Sequence, residues 1–142
     1  MNIINKSEHP LPKYGTPQSA GLDLKASLKS IVLLRPLERA AISTGLYASL
    51  PKGTVGLVCP RSGLAISQGL TVLNAPGIVD EDYRGEIKVI LINLSNETIT
   101  IDNGDKIAQL VIVECKQVEL QQVDNLNETI RGENGFGHTG IQ

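Results

Sequence analysis

Apolar residues in this chain occur in short runs rich in Ile, Val and Leu, and Gly, Pro or Asn closes almost every run. That punctuation predicts strands rather than helices. Strands are expected over Ser30–Leu34, Glu38–Leu46, Thr54–Cys59, Leu70–Leu73, Arg84–Asn93, Glu97–Ile101, Lys106–Val113 and Gln117–Val123. The sequence Asp102-Asn103-Gly104-Asp105 is a turn signal between two of them. Only Ser62–Gln68 suggests a helical turn, too short to weigh against an all-β class.

Two strands carry more than alternation. In Arg84–Asn93, Ile87, Val89 and Leu91 share one face while Ile90 and Ile92 lie on the other; Lys106–Val113 is likewise aliphatic on both faces. A strand with one solvated face alternates apolar and polar residues. Here both faces want cover, from a second sheet or from another subunit. From Asn125 the composition turns polar and Gly-rich, with Gly132, Gly135, Gly137 and Gly140. The chain therefore divides into a β domain, 1–124, and a tail, 125–142, that cannot offset its own ordering by burial and is expected to be mobile until something binds it.

Composition bounds the partners. The chain of 142 residues suits one domain, and an aromatic share of 3% makes its core aliphatic. A net charge of -2 and the absence of a basic block argue against direct nucleic-acid binding, so an anionic ligand would need individual arginines, backbone N–H groups or a metal ion. Cys59 and Cys115 lack metal-ligand spacing and are expected as buried reduced thiols. His9 is expected in a surface loop. No run suggests a signal peptide or a membrane span, so a cytoplasmic protein is the expectation.

Five blocks hold candidate chemistry. Ala20-Gly21-Leu22-Asp23-Leu24 sets an acid between leucines, where Asp23 could serve a metal, directly or through water, or hydrogen-bond a turn. Pro60-Arg61-Ser62-Gly63 is a possible phosphate cradle or an ordinary turn. Asn74–Gly85, containing Gly77, Val79, Asp80, Glu81, Asp82 and Tyr83, is expected as a hairpin whose backbone could pair with a flat base. One of its carboxylates could act as a general base, or the segment is a solvated acidic turn. Gln109 interrupts an apolar strand and needs a polar partner, from protein or ligand. Arg131–Gly140 carries the only Phe of the chain between glycines, which suits a lid that stacks on a base and wraps phosphates, or a tail with an incidental ring.

In order and separation, these five blocks resemble the five motifs of the trimeric deoxyuridine triphosphate nucleotidohydrolases (dUTPases), from about Ser19 to Gly140. The resemblance implies a jelly-roll-like distorted β-barrel, a homotrimer with shared interface sites, Mg²⁺ as cofactor, and hydrolysis of dUTP to dUMP and pyrophosphate. That activity limits uracil in DNA and supplies dUMP for thymidylate synthesis. By resemblance, Asn74, Gly77 and Val79 receive uracil, Tyr83 underlies the deoxyribose, and Asp80 activates the attacking water. Arg61, Ser62, Gly63 and Gln109 hold phosphates, and Asp23 serves the metal through water. In the tail, Phe136 stacks on the base, with Arg131, Gly137, His138 and Thr139 about the phosphates. Asn134 and His138 depart from the usual Gly and Ser, and His138 is either a phosphate contact or a solvated neighbour. Two rivals are a dCTP deaminase of the same architecture and a nucleotide-binding regulatory module with little turnover.

Overall fold

The computed structural model describes residues 1–133. Ten strands and one short helix follow in the order β1 (Asn2–Asn5), β2 (Gly21–Lys25), β3 (Val32–Leu34), β4 (Arg39–Ser49), β5 (Thr54–Cys59), α1 (Ser62–Gln68), β6 (Leu70–Val72), β7 (Gly77–Val79), β8 (Glu86–Asn93), β9 (Ile99–Ile101) and β10 (Lys106–Glu114). They form two four-stranded sheets, ordered β1-β4-β8-β6 and β2-β10-β5-β7, and a two-stranded ribbon of β3 and β9. The fold is mostly β, as expected, but neither large sheet closes into a barrel; each keeps two edge strands.

The core is aliphatic, as the composition requires. Ile87, Val89 and Leu91 on β8 are buried together with Ile42, Leu24, Leu110 and Ile101. Burying such side chains contributes roughly 1.5–3 kcal/mol each. On the other face of β8, Ile90 stays 36% exposed, so part of the cover that the pattern asks for does not come from the described residues. Two polar residues, Thr44 and Asn93, are buried among the described residues, and Asn93 is wholly enclosed. Asn93 donates to Leu34 O at 2.8 Å and Glu97 O at 2.7 Å, and accepts from Ser95 N–H and Ser95 Oγ. Its groups are satisfied, so burial there carries no desolvation penalty left unmet.

A bulge shapes β4. Its register with β8 shifts between Ser43 and Tyr47, and Gly45 there has φ +70. A Cβ on Gly45 would stand 2.7 Å from Ser7 N, so the N-terminal segment lies directly against it.

Several expectations need correction. Gln117–Val123 forms no strand; Val118 is 75% and Leu120 94% exposed, and a strand without a neighbour to pair with leaves its backbone to water. Ser62–Gln68 is a helix, closed by Gly69 at φ 65. Cys115 is exposed and Cys59 half-buried. His9 is also half-buried, its Nε2 within 3.1 Å of Ala26 O and 3.0 Å of Asn103 Oδ1. No helix among the described residues is long and apolar enough to cross a membrane.

Candidate active site

Three predicted positions, Asp23, Arg61 and Gln109, meet at one end of the β2-β10-β5 sheet. Asp23 on β2 stands opposite Gln109 on β10, which in turn stands opposite Cys59 on β5. Residues directly opposite share a face, so Asp23 and Gln109 project together. Arg61 caps the start of α1, and its Nε lies 3.3 Å from Asp23 Oδ1. Its guanidinium also donates to Lys106 O at 3.0 Å. Gln109 donates to Pro60 O at 3.0 Å, so its partner is the protein backbone. Ser62 and Gly63, the first residues of α1, are exposed beside this cluster. A Cβ on Gly21 would overlap Gln109 Oε1, so that glycine makes room for the amide.

The sequence did not single out Lys106, whose Nζ lies 2.7 Å from Asp23 Oδ2. Alternation places residues 106 and 109 on opposite faces. The register with β2 shifts between Lys106 and Ala108, and this extra residue turns Lys106 to the face of Asp23. The neighbours Ile107 and Ala108 are accordingly both buried.

The third block lies elsewhere. Its expected hairpin is a single strand, β7, paired with β5. Gly77 and Val79 are buried, and a Cβ on Gly77 would stand 3.3 Å from Asn74 Nδ2, so Asn74 and Gly77 adjoin. With Val79 turned into the core, its backbone is what this edge offers to a ligand. Asp80–Tyr83 is a turn, closed by Tyr83 N–H donating to Asp80 O at 3.2 Å. Of its three acids, Glu81 accepts from Gly53 N–H at 2.7 Å. Asp80 and Asp82 are exposed, and their carboxylates have no hydrogen bond or ion pair among the described residues.

The register measures how far apart these groups stand. Val79 faces Gly56, so Asp80 falls beside Val55, whereas Gln109 faces Cys59. Those positions are about 13 Å apart along β5, and the flanking strands add about 10 Å across it, so Asp80 and Gln109 stand roughly 16 Å apart. Arg61 lies beyond Cys59. The cleft beside Asp80 is lined by Lys52, Val55, Ile78 and Cys115, and the cleft beside Arg61 by Leu64, Gln68, Thr100 and Lys106; the two share no residue.

Among the described residues no group of three or more His, Cys, Asp or Glu could enclose a metal ion. Asp23 alone, already paired with two cations, is no cage. This donor set fits a magnesium ion carried by phosphates and water, with a single carboxylate outside. Arg131 is exposed, next to the turn in which Gly132 N–H donates to Thr129 O at 3.1 Å. Phe136, Gly137, His138 and Thr139 lie outside the described residues.

The dUTPase family model matches residues 7–140. The chain belongs to the dUTPase family. A deoxyuridine 5'-triphosphate nucleotidohydrolase of Finegoldia magna is 49% identical over 140 residues, covering 99% of this chain and 98% of that protein. One of the same name from Aquifex aeolicus is 55% identical over 133 residues, covering 94% and 89%. Among solved structures, the dUTPase of Staphylococcus bacteriophage 80alpha with dUPNHPP superposes with a TM-score of 0.88 at 30% identity, covering 99% of this chain and 98% of that one. A mutant dUTPase from phage phi11 of S. aureus, described for its coordination of a structural Mg(II) ion, gives a TM-score of 0.81 at 28% identity, covering 89% and 98%. The matched range includes both clusters, the Asp23–Arg61–Gln109 end and the Asp80–Tyr83 turn.

Proposed function

We propose that this chain hydrolyses dUTP to dUMP and pyrophosphate at sites assembled from neighbouring copies in a homotrimer of jelly-roll-like subunits. The separation of Asp80 from Gln109 carries the proposal. A general base, its water, the α-phosphorus and a phosphate contact must fit within about 7 Å of one another. Roughly 16 Å of rigid sheet lies between the two residues in one chain, so a site using both takes them from different copies. The exposed Ile90 face and the apolar residues after Glu114 give such copies surface to bury.

In the assembled site, Asn74, Gly77 and the backbone of Val79 receive uracil. Backbone groups fixed in a sheet enforce the donor–acceptor order that separates uracil from cytosine, since the wrong base leaves polar groups unpaired. Tyr83 lies under the deoxyribose. Asp80, free of other partners, orients a water and accepts its proton. The water oxygen bonds to the α-phosphorus as the bond from that phosphorus to the α,β-bridging oxygen breaks, and pyrophosphate leaves. Arg61, Ser62, Gly63 and Gln109 hold the phosphates.

Asp23 would meet Mg²⁺ through the ion's waters, and the bound ion would supply neutralisation of the polyphosphate charge. Lys106 remains on Asp23 when Arg61 turns to phosphate, so the carboxylate is not left unpaired. Residues 125–142 act as the lid: Phe136 stacks on the base, while Arg131, Gly137, His138 and Thr139 approach the phosphates. The products account for a role in limiting uracil in DNA and in supplying dUMP.

Hydrolysis of dUTP measured beside dTTP, dCTP and UTP, with and without magnesium, tests this directly. Pyrophosphate release confined to dUTP and dependent on magnesium is expected. Ammonia release from dCTP would instead identify a deaminase, and tight dUTP binding without turnover a regulatory module.

A further inference from the structure

The turn entering β8 holds a space that only glycine leaves open. A Cβ on Gly85 would overlap the hydroxyl and Cζ of Tyr83 and stand 2.8 Å from its Cε2. Ring atoms cannot bend aside as the end of a flexible side chain can. Gly85 is not among the glycines with positive φ, so a left-handed backbone is not what requires it. What the turn uses is the missing side chain.

The ring is fixed from its other end as well. Its O–H donates to Glu86 O at 3.1 Å, and the Arg84 guanidinium braces the turn by donating to Glu81 O at 2.7 Å and Tyr83 O at 2.9 Å. Tyr83 is thus folded back on its own chain, with its ring against the Gly85 α-carbon. It is still 45% exposed, which leaves surface for a ligand.

We propose that Gly85 is a specificity-determining position: the berth it leaves sets where the Tyr83 ring stands, and so sets how closely a sugar may approach. The proposal rests on the reading of Tyr83 as the floor beneath the deoxyribose. With the ring in its berth, a 2′-hydrogen fits above it and a 2′-hydroxyl does not. A side chain at position 85 lifts the ring out and breaks the bond to Glu86 O, and the floor loses its fixed height.

The test measures kcat/KM for dUTP and for UTP, with melting temperature, in the wild type and in Gly85→Ala, Tyr83→Phe and Tyr83→Ala. Gly85→Ala is expected to lower the dUTP:UTP preference about tenfold or more, toward that of Tyr83→Ala, with a melting temperature near wild type. Tyr83→Phe keeps the ring over Gly85 and loses only the anchor, so its preference falls between. A general loss of structure would depress both substrates equally and leave the ratio intact. If Gly85→Ala keeps the wild-type ratio while Tyr83→Ala loses it, the proposal is overturned and the role of Tyr83 stands. If Tyr83→Ala itself keeps the ratio, the role of Tyr83 fails and the proposal falls with it. Should Gly85→Ala not fold, the double variant Gly85→Ala/Tyr83→Ala, in which the added methyl meets no ring, decides: recovered folding shows that the side chain at 85 displaced the ring and supports the proposal, and a double variant that also fails to fold overturns it.

Discussion

At one end of β5 the charged side chains hold one another; at the other, a carboxylate holds nothing. Arg61, Asp23 and Lys106 are joined by ion pairs of 3.3 and 2.7 Å, and Gln109 is tied to the Pro60 carbonyl. Asp80 stands exposed on a turn, its carboxylate with no partner among the described residues. The difference fits two tasks. Groups that grip phosphate need their charge kept in place before the ligand arrives, whereas a base must keep its lone pairs for water. The contrast also separates what each end contributes to stability from what it contributes to rate.

The largest expected effect lies at the partnerless end. Asp80→Asn should lower kcat by roughly 10²–10⁴-fold with dUTP affinity largely kept, because the loss is of a base. It should also leave unfolding free energy within about 0.5 kcal/mol of wild type, since no contact is lost. Near-normal turnover would move the base to another group, Asp82 being the other carboxylate of that turn without a partner. Arg61→Ala should act mainly on binding, raising KM roughly 10–100-fold, as expected for a charge-assisted hydrogen bond of about 1.5–3 kcal/mol. An unchanged KM would show that the ion pair with Asp23 is its whole purpose.

Gly21→Ala comes next. It pushes Gln109 from its place and should lower kcat/KM about tenfold; full activity would mean that Gln109 need not lie where it does. Lys106→Met should have the smallest effect. A half-exposed ion pair is worth about 0–1 kcal/mol, so denaturant titration should show a shift of that size. A larger loss would mark the cluster as a structural knot.

Sequence and structure agree where the information is local. The parity of Ile87, Val89 and Leu91 against Ile90 and Ile92 located β8 and its buried face, and Thr54–Cys59 was bounded correctly. The three-residue strands β3, β6 and β9 lie within expected strands, whereas β1 and β2 were not expected and β7 was expected as part of a hairpin. β1, β2 and β7 have no more than five residues, and β2 and β7 each carry a glycine, so only their long-range partners make them strands. Gln117–Val123 erred the other way, because alternation asks for a partner that the described residues do not provide. Lys106 was hidden by the bulge at Ile107, which reverses the face that alternation assigns. The order of the five blocks was legible in the sequence; that two of them stand at opposite ends of one strand was not, since it depends on the β5–β7 and β5–β10 registers.

The central claim is that one site takes Asp80 and Arg61 from different copies, and subunit mixing tests it most directly. Asp80→Asn and Arg61→Ala proteins, each assayed alone at substrate concentrations where both are impaired, would be unfolded, mixed in equal amounts and refolded together. Random assembly should restore about a quarter of wild-type activity, because one site in four then receives both intact residues. A mixture no more active than the average of its two components would contradict the account and return the whole site to a single chain.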